Sequence, residues 1–169
     1  KNQKKKPGLI LKTSGAGFSV LDREDILGKI ESIKQTVDGD LPNIYLMHGD
    51  FYDDEINELM NHPKVKTHIN ITHGEGFGIP IFNAACNNIP IIATNWSGHL
   101  DFLNMPQKQK NGKRKIKSMF SKISYNLKEI QPEAAWEGVI PKDSKWAHPE
   151  EGSIKMNLEE VYKDYGRFK

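Results

Sequence analysis

Hydrophobic positions along this chain fall into short runs of two kinds. "GLILK" (8–12), "NIYLMHG" (43–49) and "IPIIAT" (89–94) are compact apolar runs of strand length, and "KVKTHINIT" (64–72) sets Val65, Ile69 and Ile71 on a two-residue period. Between these runs the period lengthens. In "LDREDILGKIESIKQTV" (21–37), Ile26, Ile30, Ile33 and Val37 recur at helical spacing, and Asp22 is placed to cap the helix. "DDEINELMNH" (53–62) gathers Ile56, Leu59 and Met60 on one face, with Asp53 as cap and Pro63 as the stop. "IPIFNAACN" (79–87) predicts a short helix with Pro80 in its first turn, where a missing N–H is harmless. "GHLDFL" (98–103) opens another helix. Strand and helix alternate throughout, which predicts an α/β fold with a parallel sheet covered by helices on both faces.

The pattern breaks after residue 103. "NMPQKQKNGKRKIK" (104–117) is polar and basic and reads as an exposed loop. "SKISYNLKEI" (121–130) has the composition of a late strand, and 132–152 scatters Pro, Gly and Trp as an irregular packed segment does. "SIKMNLEEVYKDYGRF" (153–168) predicts a closing helix with Ile154, Leu158, Val161 and Tyr165 on one stripe. No internal repeat is present.

Composition narrows the picture modestly. At 169 residues the chain is expected to form one domain, and 37% apolar residues suffice for a core. A net charge of +2 is too small to make nucleic acid or membrane the principal partner. The single cysteine, Cys86, excludes an internal disulfide framework and suits a reducing, cytoplasmic setting. Cys86 itself, on the small-residue face of a helix, is expected to be buried filler. No apolar run approaches membrane-spanning length. The first residue is Lys1 rather than Met, as expected of a piece of a longer protein.

The candidate chemistry is concentrated in "HGEGFGIPIFNAACNNIPIIAT" (73–94). In an open parallel sheet, ligands bind where strands end and helices begin. The first N–H groups of a helix lack internal partners and carry partial positive charge, so they donate to phosphate or hydroxyl oxygens. Gly76 and Gly78 allow close backbone approach. Glu75 alone would repel a phosphate, so its expected partner is neutral and rich in hydroxyls; a sugar beside a diphosphate satisfies both features. Asn83, eight residues on, offers a second hydrogen-bonding group. Read locally, a capped turn with no ligand accounts for the same residues equally well.

"EGFGIPIFNAACNNIPIIATNWSGHLDFL" resembles the donor-binding signature of retaining group 1 (family 4) glycosyltransferases, which have the GT-B fold of two Rossmann-like domains facing across a cleft. The matching residues are Glu75, Gly76, Phe77, Gly78, Ile79 and Pro80, then Ala84–Ala85, Pro90 to Ala93, Gly98 and Asp101. The resemblance extends upstream through "NIYLMHGDFYDDEINELMNHPKV" and is clear over 8–103. It implies a Rossmann-like three-layer domain that binds a nucleotide-diphosphate sugar and transfers the sugar, with retention, to an acceptor hydroxyl. Glu75 is then the catalytic-site carboxylate that hydrogen-bonds hydroxyls of the donor sugar. The backbone near Gly76, Phe77, Gly78 and Ile79 meets the sugar or distal phosphate, and Asn83 stands where the family's second Glu binds the ribose. Phe51 lies by the nucleobase, and Thr72 ends the strand under the site. His73, next to Gly74–Glu75, is a further candidate for donor contact. No metal or other cofactor is expected, the nucleotide sugar being a substrate. In the family the donor's own phosphate acts as base, so this half supplies orientation and electrostatic stabilisation.

Two departures qualify the resemblance. Asn83 is neutral, and hydrogen bonds to charged groups are stronger by about 1 kcal/mol than neutral ones. The family's basic pair precedes the strand matching "GLILK", leaving Lys12 at the strand end as a candidate for reaching a phosphate, and the N-terminal acceptor domain is missing, so the chain is expected to be inactive alone. The alternatives are a non-catalytic nucleotide- or carbohydrate-binding module of the same fold and a GT-B-type sugar-nucleotide epimerase. His48, His62 and His68 match no metal spacing and are expected in surface or core roles. Trp136 and Trp146 read as packing residues, whereas Trp96, with Ser97 and Gly98, occupies a turn that faces ligand in the family. "GAG" (15–17) is too short for a dinucleotide fingerprint. The basic run 108–117 lacks interleaved aromatics and reads as solvated, with peripheral membrane contact as the functional option.

Overall fold

The computed structural model describes residues 6–15 and 17–168, which form a mixed α/β protein with short parallel sheets and separate antiparallel strand pairs. Ala16, and with it part of "GAG", lies outside the described residues. Contacts divide the chain into two compact units, with the boundary between Asp53 and Asp54.

In the first unit, β1 (Leu9–Lys12) runs parallel to β2 (Ile44–Met47), Leu9 opposite Ile44 and Lys12 opposite Met47. A crossover is obligatory for a parallel pair, and α1 (Val20–Gln35) provides it. The N-cap is Ser19, not Asp22: Ser19 is extended (φ −73°, ψ 162°) and its hydroxyl accepts from the Asp22 N–H at 3.1 Å. Asp22 already lies within the helix, and its carboxylate instead accepts from the Gly15 N–H at 3.0 Å and meets His48 Nε2 at 2.7 Å. This bond ties the loop after β1 to the end of β2. The expected apolar stripe is only half used. Ile26 and Ile30 are half-buried, while Ile33 and Val37 are exposed, because a two-stranded sheet covers too little of a four-turn helix.

In the second unit, α2 (Asp53–Asn61) leads to a three-stranded parallel sheet in the order β3 (His68–Asn70), β4 (Ile91–Thr94), β7 (Ser121–Ile123). The strand expected over 64–72 is reduced to three residues. The Val65 N–H donates to the His62 carbonyl, closing a turn after α2, and Ile71 is exposed beyond the strand end. β4 is buried along its whole length, and its alternation feeds two cores. Ile91 and Ala93 pack with Ile81 and Ala84 of α3 (Ile79–Cys86) and with Leu103 of α4 (Leu100–Leu103). Ile92 faces the other way, against Ile123 and Val161. Complete burial of one such isoleucine contributes about 1.5–3 kcal/mol.

Three expectations after residue 103 are corrected. The basic "loop" is an antiparallel hairpin of β5 (Asn104–Lys108) and β6 (Arg114–Ser118). The late strand is two: β7 ends at Ile123, and β8 (Tyr125–Glu129) leaves the parallel sheet to pair antiparallel with β9 (Lys145–Pro149), inside the segment expected to be irregular. The closing helix is α5 (Glu151–Lys163), followed by the short α6 (Tyr165–Phe168), with Ile154, Val161 and Tyr165 inward and Leu158 partly exposed. Cys86 is exposed at the last turn of α3, where the buried positions are Ile81 and Ala84.

Candidate functional site

The turn between β3 and α3 is built by its neighbour, the turn after β4. Thr94 is buried at the end of β4, and Ser97 takes a positive φ of 93°, unusual for a residue with a side chain. This places the Ser97 hydroxyl against Glu75: it accepts from the Glu75 N–H at 2.9 Å and donates to the Glu75 carbonyl at 2.6 Å. The Gly98 N–H adds a bond to the same carbonyl at 3.1 Å. Gly98 lies so close to the Gly76 carbonyl that no Cβ fits. The backbone of Glu75 is thus fixed at both polar atoms by residues 22 and 23 positions downstream.

The Glu75 side chain is fixed at one oxygen. Oε1 accepts from Asn70 Nδ2 at 2.8 Å and lies 2.9 Å from the Thr72 hydroxyl. That hydroxyl is also 2.9 Å from Asn70 Oδ1, so its single proton serves one acceptor at a time. Oε2 makes no hydrogen bond among the described residues. The resemblance put Thr72 at the strand end under the site. Asn70 was missed, although a side-chain amide at the last position of a strand before a Gly-rich turn is a signal for it.

Gly78 sits at the head of α3 with φ 82° and ψ 55°, a left-handed conformation that glycine adopts without strain. The N–H groups of Phe77, Gly78 and Ile79 donate to no acceptor among the described residues, while the Gly78 carbonyl receives the Phe82 N–H. Successive unpaired amides around a left-handed residue form a concavity that attracts anions. Phe77 and Ile79 are exposed, at 52% and 65%. The Phe77 ring leans on Phe82 and Phe102, with centroids 5.1–5.3 Å apart around the trio. Asn83 is half-buried one turn into the helix, and its carbonyl accepts from the backbone and side chain of Asn87.

His73 has a structural attachment. Its Nδ1 is 2.8 Å from the Ala147 carbonyl, so that nitrogen carries the proton, and its ring stacks on Trp146 at 5.1 Å and lies 4.4 Å from His148. The partner strand β9 was not foreseen, and neither was this contact. Trp146 packs as expected, and Trp96 lies 5.3 Å from Tyr125 while remaining 38% exposed. Trp136 is exposed rather than packed. Ser97 and Gly98 do not present a helix N-terminus to an anion: their polar groups are committed to Glu75, and α4 has four residues.

Of two histidines near this turn, His99 is buried and His68 half-buried. His99 donates from Nε2 to the Thr94 carbonyl at 2.8 Å, and its Nδ1 has no partner among the described residues. His68, in β3, has its Nε2 enclosed without a partner among the described residues; burial pushes its pKa below the ordinary value, with the charge of Glu75 opposing.

The first unit holds the other expected residues. Phe51 is half-buried after Gly49, its N–H donates to Asp50 Oδ1 at 3.1 Å, and Lys12 Nζ lies 5.3 Å from its ring centre. A hollow of about 760 Å³ opens between α1 and β2, bordered by Leu27, Ile30, Leu41, Pro42 and Leu46, and none of the expected donor residues lines it. Among the described residues, no three His, Cys, Asp or Glu side chains converge as a metal site, and no helix is long and apolar enough to cross a membrane. No protein-family model, no curated protein and no solved structure matches this chain.

Proposed function

We propose that this chain is the donor-binding, Rossmann-like half of a GT-B glycosyltransferase, holding a nucleotide-diphosphate sugar for transfer, with retention, to an acceptor hydroxyl. The observation that carries the reading is the state of Glu75. One carboxylate oxygen is clamped by Asn70 and Thr72, and the other meets no donor among the described residues. A carboxylate held in one orientation before binding loses little freedom when it accepts sugar hydroxyls, and such charge-assisted bonds are short and strong. The three amides at Phe77, Gly78 and Ile79, unpaired among the described residues, complement it with donors for a phosphate or a sugar oxygen. An acid for hydroxyls and amides for an anion, two to four residues apart at a strand-to-helix turn, match a ligand that has both.

The chain's own contribution to catalysis in this reading is positioning. Glu75 orients the sugar ring, and the positive end of α3 stabilises charge on the departing diphosphate. The rival reading, a binding module of the same fold without turnover, draws on Asn83, which stands neutral where the resembling enzymes carry an acid. The transferase reading requires donor binding. Calorimetric titration with UDP-, GDP- and ADP-sugars tests it: one class saturates the protein while the free sugar does not. Failure of all three to bind overturns the transferase reading.

A further inference from the structure

We infer that the hairpin 104–118 is a docking finger for an anionic lipid surface. This proposal is independent of the donor site. The hairpin carries Lys108, Lys110, Lys113, Arg114, Lys115 and Lys117 and no acidic residue. None of the six forms an ion pair among the described residues. From residue 105 to 117 every position is exposed, so the strands project rather than pack. The structure nevertheless holds this segment in register. Five cross-strand pairs run from Asn104–Ser118, hydrogen-bonded at 2.7 Å, to Lys108–Arg114. The tip closes through Gln109 and Lys113 around Gly112 at φ 80°.

That register concentrates like charge. Lys108 faces Arg114 directly across the ladder, an arrangement that repels unless an anion lies between or beside the pair. One step toward the base on the same face, Pro106 opposes Ile116, which is 67% exposed, and Met105 is exposed on the other face. A basic end followed by exposed apolar side chains fits a bilayer interface, where cations meet headgroups and short apolar groups enter the acyl boundary. No Phe, Tyr or Trp lies between 104 and 118, so the stacking platform of single-stranded nucleic-acid binders is absent from the finger.

Co-sedimentation with vesicles tests the proposal, using the whole protein with phosphatidylcholine alone and with phosphatidylcholine containing phosphatidylserine. Binding is expected only to the anionic vesicles and is expected to weaken as salt is raised. Each neutralised cation near such a surface should weaken binding by about fivefold, so K113Q/R114Q/K115Q should lose on the order of a hundredfold. K113R/K115R keeps the charge and should bind as the parent does. Ile116→Ser, which leaves every charge in place, should weaken binding to the same vesicles. The proposal is overturned by absence of binding to anionic vesicles, by equal binding of the triple variant, or by tighter, equally hairpin-dependent binding to duplex DNA or RNA.

Discussion

At the scale of single residues, Glu75 is held twice over, and the two holds have separable consequences. Ser97 and Gly98 fix its backbone; Asn70 and Thr72 fix its carboxylate. Gly98→Ala would drive a methyl group into the Gly76 carbonyl. Relief requires the turn to move, so a loss of about 1–3 kcal/mol is expected, of the size of other enforced backbone strains, measured by urea unfolding. Ser97→Gly should act differently. It relieves a positive φ but removes two hydrogen bonds to Glu75, so stability should change by less than about 1 kcal/mol while donor affinity falls. Equal affinity in that variant, by calorimetry, would show that the Ser97 clamp has no bearing on binding.

At the scale of elements, the sequence was most legible where burial dictates the pattern. β4 and α3 lie where their apolar spacing put them because both faces of β4 and the Ile81–Ala84 side of α3 are enclosed. Ile81→Ala should therefore cost about 2–5 kcal/mol in thermal or urea unfolding, as expected for a cavity in a closed core. Legibility failed where exposed cross-strand pairing decides. β5, β6 and β9 carry few buried residues, so no apolar period announced them, and ladder hydrogen bonds hold what composition alone read as loop or irregular segment. Helix caps were half legible: Asp22 was the right residue type in the wrong place, since Ser19 three positions earlier has the extended backbone that capping needs. Ser19→Ala should destabilise α1 by about 1 kcal/mol. At the site, the turn and its acid were visible from residue types, and Asn70 five positions away left a local signal, whereas the Ser97 clamp on Glu75 and the hold of β9 on His73 depend on contacts between distant positions.

At the scale of the molecule, the second unit contains a titration that limits its stability in acid. His68 is kept below its ordinary pKa by burial, so in the folded state it resists protonation, whereas the unfolded chain accepts a proton near pH ~6.5. The unfolded state then binds more protons, and stability must fall as pH drops below ~6.5 toward the folded value. Urea unfolding of the native protein between neutral and mildly acidic pH should show this decline, and His68→Leu should flatten it; an unchanged slope would remove His68 as its source. The donor site is the claim that gives the molecule its purpose, and it is tested most directly by comparing ligands on one variant. Glu75→Gln keeps the shape of the side chain and removes the charge that, in the proposed function, accepts sugar hydroxyls. Calorimetry should find its affinity for the preferred nucleotide sugar reduced about ten- to hundredfold, with affinity for the matching nucleoside diphosphate unchanged. Equal loss for both ligands, or no loss for either, would contradict the assignment of Glu75 to the sugar.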